Sequence, residues 1–185
     1  QRMLEMQQAL NDIKTLLTHQ ALHDPLLGIY NRRAIIDALE EDIQRSHRTQ
    51  TPLTLALCDL DNFKQVNDSY GHLAGDEVLV EFCNRVQGAI RPYDHFGRYG
   101  GEEFLLIVQS DSQESKYLFE RVRQAISKSP FLIGGEDEDQ YIAVTVSIGI
   151  SGLAADKNLK QLMADADEAL YRAKVKGRNQ IQLKE

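Results

Sequence analysis

With 185 residues, 42% of them hydrophobic, the chain can form one domain of ordinary size with a single core and a short appendage, without a disulfide or metal staple. A net charge of −7 argues against nonspecific nucleic-acid binding, though not against a nucleotide that arrives with a divalent cation. No signal peptide or membrane-spanning run is visible, and the two cysteines, Cys58 and Cys83, lie far apart without metal-ligand spacing, which predicts two reduced thiols. Gln1 as the first residue points to an excised fragment.

Met3, Met6, Leu10, Ile13, Leu17 and Gln20 fall at alternating spacings of three and four, the seam of a short coiled coil in a linker helix over residues 1–22. Fewer than three heptads are marginal alone. Two readings therefore stay open: pairing with a second copy, or a lone amphipathic helix folded back on the rest. His19 and His23 are one helical turn apart, as zinc ligands can be, but no third ligand is near in sequence, so a solvated linker is expected.

Beyond residue 23 the chain alternates: helix 31–47, strand 53–59, helix 73–90, a hairpin around 95–108, helix 112–128, strand 141–151, helix 158–175 and a short strand near 179–183. Interleaved helices and strands predict one sheet covered by helices, an α+β or α/β domain. The strand 53–59 runs into Asp59-Leu60-Asp61, and period-two alternation puts both aspartates on one side at its C-terminal end, the edge where such sheets bind ligands. Two like charges there are costly unless a cation or hydrogen-bond donors compensate them, and a metal ion is the simplest compensation.

Residues 97–108 place Gly100-Gly101 and Glu102-Glu103 in a tight turn directly before an apolar run. The glycines are expected to let the backbone turn sharply and to admit a bulky ligand, while the glutamates supply hard oxygen ligands suited to Mg²⁺. By itself this reads more readily as a hairpin turn with solvated glutamates. The aspartates of residues 59 and 61 turn it into a candidate site for phosphate chemistry. Gly134-Gly135-Glu136-Asp137 repeats the pattern but enters the acidic stretch 136–139 with no apolar strand immediately after it, so an exposed hairpin loop is expected.

Taken together, the motifs resemble the GGDEF domain of bacterial diguanylate cyclases in its Gly-Gly-Glu-Glu-Phe form. The resemblance runs from about His23 to the C-terminus. It rests on the stretch from His23-Asp24-Pro25-Leu26 to Asn31-Arg32-Arg33, on Asp59-Leu60-Asp61-Asn62-Phe63-Lys64, on Asn67-Asp68, Gly71-His72 and Gly75-Asp76-Glu77, and on the signature itself. Ser147-Ile148-Gly149-Ile150, Ala166-Asp167-Glu168-Ala169-Leu170-Tyr171 and Ala173-Lys174-Val175-Lys176-Gly177-Arg178-Asn179 complete it. Leu27 departs from the family's usual threonine, outside the catalytic positions.

The resemblance implies the ferredoxin-like palm of nucleotidyl cyclases, a central and mostly antiparallel sheet flanked by helices. Its activity would be condensation of two GTP into cyclic di-GMP and pyrophosphate by a homodimer, with Mg²⁺, or Mn²⁺ in its place. Asp59, the Leu60 carbonyl and Glu102 would hold metal, with Glu102 also the base. Glu103 joins the catalytic set, and its role, like that of Asp61, stays open between supporting ligand, substrate contact and orienting group. Asn67 and Asp76 would read guanine, and His72 would lie near the nucleotide or cap the following helix. Lys64, Lys174, Arg178 and the backbone amides of Asn62 and Phe63 would contact phosphates. Ser147-Ile148-Gly149 and residues 167–171 would support the sheet. Arg91-Pro92-Tyr93-Asp94 has the register of the family's product-inhibition site, with a helix-end arginine and a loop aspartate as the plainer reading. An N-terminal sensor domain in the parent protein and a cytoplasmic location follow, whether or not the parent is anchored in a membrane. A catalytically silent sensor of GTP or cyclic di-GMP is disfavoured by the intact signature and Asp59, and another nucleotidyl cyclase is disfavoured by Asn67 with Asp76.

Overall fold

The computed structural model describes residues 2–134 and 139–184. In chain order the elements are α1 (Arg2–Leu22), α2 (Arg32–Thr49), β1 (Thr54–Leu60), α3 (Phe63–Ala89), β2 (His95–Arg98), β3 (Glu103–Val108), α4 (Ser112–Ser127), β4 (Phe131–Ile133), β5 (Gln140–Ile142), β6 (Val146–Gly152), α5 (Leu159–Val175) and β7 (Ile181–Leu183). A five-stranded sheet runs β2-β3-β1-β6-β7, and β4 and β5 form a separate ribbon. All pairings in the main sheet are antiparallel except the edge pair β6 and β7.

β1 is buried along its whole length because both of its faces are covered. Ala56, Cys58 and Leu60 pack with Val78, Phe82 and Val86 of α3 and with Phe119, Val122 and Ile126 of α4. Leu55 and Leu57 face the other way, against Ile35, Leu39 and Ile43 of α2 and Leu162 and Leu170 of α5. The sheet is thus the middle layer between two apolar cores, the expected central sheet flanked by helices. Both cysteines are free and buried, and burial raises their thiols, Cys83 to about 12.

Three elements depart from the sequence expectation. The helix expected over 73–90 is preceded by a further helical segment that begins at Phe63, and the two meet at Gly71, whose non-helical φ of 86° and ψ of 165° break the helix between them. The polar run Asn67-Asp68-Ser69 masks its first part. The single strand expected over 141–151 divides into β5 and β6, because Thr145 leaves the ladder to hold Asp61 with both its carbonyl and its hydroxyl. β4 has no counterpart in the sequence reading. The Gly134-Gly135-Glu136-Asp137 loop falls, from residue 135 to 138, outside the described residues.

α1 does not fold back on the sheet: Met3, Met6, Leu10, Ile13 and Leu17 are each more than half exposed. At its end the His19 and His23 rings stack at 4.0 Å, and a His23 ring nitrogen meets the His19 carbonyl. Among the described residues no group of three or more metal-ligating side chains gathers there or elsewhere, and none of the helices is long and apolar enough to cross a membrane.

Candidate active site

The site forms where β1, the β2–β3 turn and the end of α5 meet. On β6 the residues facing α5 are small: a Cβ at Gly149 would stand 2.2 Å from both the Ala166 carbonyl oxygen and the Leu170 nitrogen. Helix backbone therefore lies directly on strand, and the last turn of α5 is carried to the end of β1. There the Lys174 ammonium meets Asp59 at 2.7 Å. The supporting role expected for Ser147-Ile148-Gly149 and for the 167–171 stretch is visible in this contact.

Asp59 sits opposite Glu103 on β3 and Ser147 on β6, and the Leu60 amide donates to the Glu102 carbonyl at 3.2 Å. These ladders bring Glu102 beside Asp59. Burial holds the Asp59 carboxyl above its ordinary range, with Lys174 opposing and Asp61 reinforcing the rise. Glu102 is raised as well, first by burial and then by the negative charge of Asp59. Two neighbouring carboxylates, Glu102 raised in part by the charge of Asp59, with the Leu60 backbone between them, form a hard-oxygen donor set that welcomes positive charge. Mg²⁺ is commonly held by one or two carboxylates plus substrate phosphates rather than by a full protein cage, so these residues fit it.

Asp61 has another environment. It accepts from the hydroxyls of Thr145 and Ser147, both at 2.7 Å, and from the Asn179 amide at 3.0 Å. Of the three roles left open for it, orienting group is the one this geometry supports: it ties β1, β6 and the turn after α5 together.

The signature glycines sit in the expected sharp turn, which the Tyr99 and Gly100 amides close by donating to the Glu103 carbonyl, and neither glycine has a positive φ. A Cβ on Gly100 would lie 2.8 Å from a Glu103 carboxylate oxygen, whereas one on Gly101 would meet nothing within 4 Å. Gly100 makes room for Glu103, and Gly101 leaves bare backbone facing outward. Arg98, to which the sequence reading gave no role, fixes this turn. Its guanidinium donates to the carbonyls of Gly100 and Gly101 and pairs with Asp24 at 3.0 Å. Asp24 in turn accepts from the amides of Leu26 and Leu27 just beyond α1. A lone arginine ahead of two glycines gives no signal in a single sequence; only its partner 74 residues upstream shows its use.

α3 starts at Phe63 with Asn62 in the left-handed region at φ 58°, so the first amides of the helix open toward the end of β1. Lys64 is exposed on this first turn. Half-buried Asn67 lies across Gly75, where an added Cβ would be only 1.9 Å from its side-chain oxygen. The Gly71 kink thus folds the two parts of α3 so that Asn67 and the exposed Asp76 adjoin, with exposed His72 just past the kink. Arg178, in a left-handed turn after α5, is near enough for its charge to lower Asp59.

Arg91 and Asp94 lie apart from this group, at the opposite end of β2 from the signature turn. Asp94 accepts from the Arg91 amide at 2.9 Å, and the Arg91 guanidinium donates to the Tyr93 hydroxyl at 2.9 Å. The pair shares a cavity of about 410 Å³ with His23, Tyr30, Gln87 and His95.

The family profile described as "Diguanylate cyclase, GGDEF domain" matches residues 21–180. Diguanylate cyclase DgcP of Pseudomonas aeruginosa is 39% identical over 165 residues, 89% of this chain and 24% of its own length. Response regulator PleD of Caulobacter vibrioides is 38% identical over 163 residues, 87% of this chain and 36% of its own. The chain therefore spans roughly a quarter to a third of these two curated relatives. Among solved structures, the coiled coil and GGDEF domain of DgcB from Caulobacter crescentus, in complex with c-di-GMP, superposes with a TM-score of 0.90 at 26% identity, covering 98% of this chain and 95% of that one. With the signature turn, the Asp59 strand end and the kinked α3 in their places, this chain belongs to the GGDEF-domain family of diguanylate cyclases.

Proposed function

We propose that the chain is the catalytic domain of a diguanylate cyclase, joining two GTP into cyclic di-GMP as each 3′-hydroxyl attacks the α-phosphate of the other nucleotide and pyrophosphate leaves. The observation that carries this reading is the pairing of Asp59 with the Lys174 ammonium at the end of β1, with Glu102 within reach of the charge of both. Mg²⁺, or Mn²⁺, bound by Asp59, Glu102 and the Leu60 carbonyl would offset phosphate charge and acidify the attacking hydroxyl. Glu102 takes the hydroxyl proton, a task that its raised carboxyl suits. Glu103, folded against Gly100, keeps the turn in shape. Lys64, Lys174, Arg178 and the first amides of α3, at Asn62 and Phe63, bind the triphosphate, with His72 alongside. Asp76 accepts from guanine N1–H and the exocyclic amine, and the Asn67 amide donates to one of the ring's acceptors, O6 or N3; adenine lacks that donor pair.

One such site holds one nucleotide, so the reaction needs a second copy facing it. The exposed seam of α1 is the surface that would pair the two copies, with residues 1–22 as linker and 23–185 as the catalytic unit. The relative solved with its coiled coil supports this arrangement. Arg91 and Asp94 are assigned to product inhibition, offering a guanidinium for stacking and a carboxylate for the guanine edge. A cytoplasmic site of action and an upstream sensor domain complete the reading. Incubation with GTP or with ATP in Mg²⁺, followed by chromatography of the products, tests it: cyclic di-GMP from GTP and no cyclic dinucleotide from ATP is expected, and no product from GTP at any protein concentration contradicts it.

A further inference from the structure

Lys174 is asked for in two places at once. Its ammonium stands 2.7 Å from an Asp59 oxygen, while the proposed reaction needs that carboxylate on a cation and that ammonium on a triphosphate. The Asp59 side chain is only a tenth exposed, so protein charge rather than water must balance it. Glu102 also feels the charge of this ammonium, whereas Asp61 is already engaged by Thr145, Ser147 and Asn179. Arg178 acts on Asp59 from farther off and makes no ion pair with it within 4.0 Å. α5 itself is fixed by its backbone contact with Gly149, whereas the four-carbon stem of a lysine can swing from one partner to another without moving the helix.

On the diguanylate cyclase reading of Asp59, we propose that Lys174 gates the metal position: it competes with a free divalent cation for Asp59 and yields the carboxylate when a triphosphate draws the ammonium away. Cation and nucleotide then load together. Each raises the affinity of the other by more than their direct contact supplies, and the coupling is reciprocal. Lys174 is in this sense a determinant of what the site accepts, a metal–nucleotide pair rather than a bare metal ion.

The test is a Mn²⁺ titration read by electron paramagnetic resonance of the free ion, with and without the unreactive α,β-methylene analogue of GTP. Without nucleotide, Lys174→Met should bind Mn²⁺ about tenfold more tightly than the wild type, because a positive charge beside the ligand has gone. Lys174→Arg, which keeps the charge, should stay close to the wild type. The factor by which the analogue improves Mn²⁺ binding should be smaller in Lys174→Met. Thermal melts of each variant confirm that it is folded. Mn²⁺ affinity in Lys174→Met equal to or weaker than wild type overturns the gate, as does an equal gain from Lys174→Met in an Asp59→Asn background. Asp59→Asn binding Mn²⁺ with the analogue as well as the wild type does would overturn the metal assignment itself, and the gate with it.

Discussion

Asp59 and Asp61 stand two residues apart at one strand end, both nearly buried, in regions of opposite character. Asp61 faces two hydroxyls and a backbone amide, all fixed by β6 and the turn after α5. Asp59 faces a single lysine ammonium and a second carboxylate, Glu102. A carboxylate whose oxygens are filled by rigid donors belongs to the frame. One whose partner can leave is available for chemistry. Substitutions on the two sides should accordingly separate activity from stability.

The largest effect belongs to the open side. Glu102→Ala should lower cyclic di-GMP formation by at least about 10³-fold, since it removes both charge stabilisation and the base. Its melting temperature should stay within about 2 °C of the wild type, because a turn glutamate contributes little packing. Comparable losses of activity and stability would erase the contrast.

Asp61→Ala should do the reverse. Three donors lose their acceptor, at a cost of about 3 kcal/mol, or roughly 6–12 °C in melting temperature for a chain of this size. A melt unchanged by this substitution would show that Asp61 is not part of the frame.

Gly75→Ala sharpens the comparison within α3. The new Cβ cannot coexist with Asn67 in its present place, so GTP affinity should fall about tenfold, the loss of one good hydrogen bond. Alanine is otherwise the better helix former, and stability should hold. Asp76→Ala should weaken GTP by a similar factor without making ATP a good substrate. Unchanged GTP binding in both variants, measured by calorimetry, would remove guanine reading from this part of α3.

The smallest effect is electrostatic. The Asp59 and Glu102 carboxyls are both raised in the fold, so protonation favours the folded state. Their contribution is fully present below the ordinary carboxylate range and is lost as pH rises through the raised values. Asp59→Asn should therefore melt higher than the wild type at pH 8, by about 1–3 °C given partial solvent screening, and the gap should close as pH falls toward about 4. A variant that melts lower at pH 8 would mean that the Lys174 pair outweighs the cost of burying the charge.

Much of this was legible in the sequence. The strand ending in Asp59, the signature turn, and the helices over α2, α4 and α5 all follow from apolar periodicity and turn chemistry, which act locally. The seam of α1 was equally plain, and its Met3, Met6, Leu10, Ile13 and Leu17 are exposed. What stayed hidden depends on pairs distant in the chain. Arg98 with Asp24, Asn67 against Gly75, and Asp61 with Thr145 and Asn179 carry no periodic signal. Thr145 also explains why one expected strand became two. The sharp turn at the signature glycines was expected, but the room that Gly100 gives Glu103 requires knowing where that side chain lies.

The central claim is that Asp59 and Glu102 serve half of a two-nucleotide site, and dilution tests it most directly. Cyclic di-GMP formed from GTP should be measured chromatographically across a protein series that spans the dimer-to-monomer transition seen by sizing. Turnover per chain should fall with dilution as the monomer takes over, because neither half alone holds both the attacking hydroxyl and the accepting α-phosphate. Constant turnover per chain at concentrations where only monomer remains would contradict it.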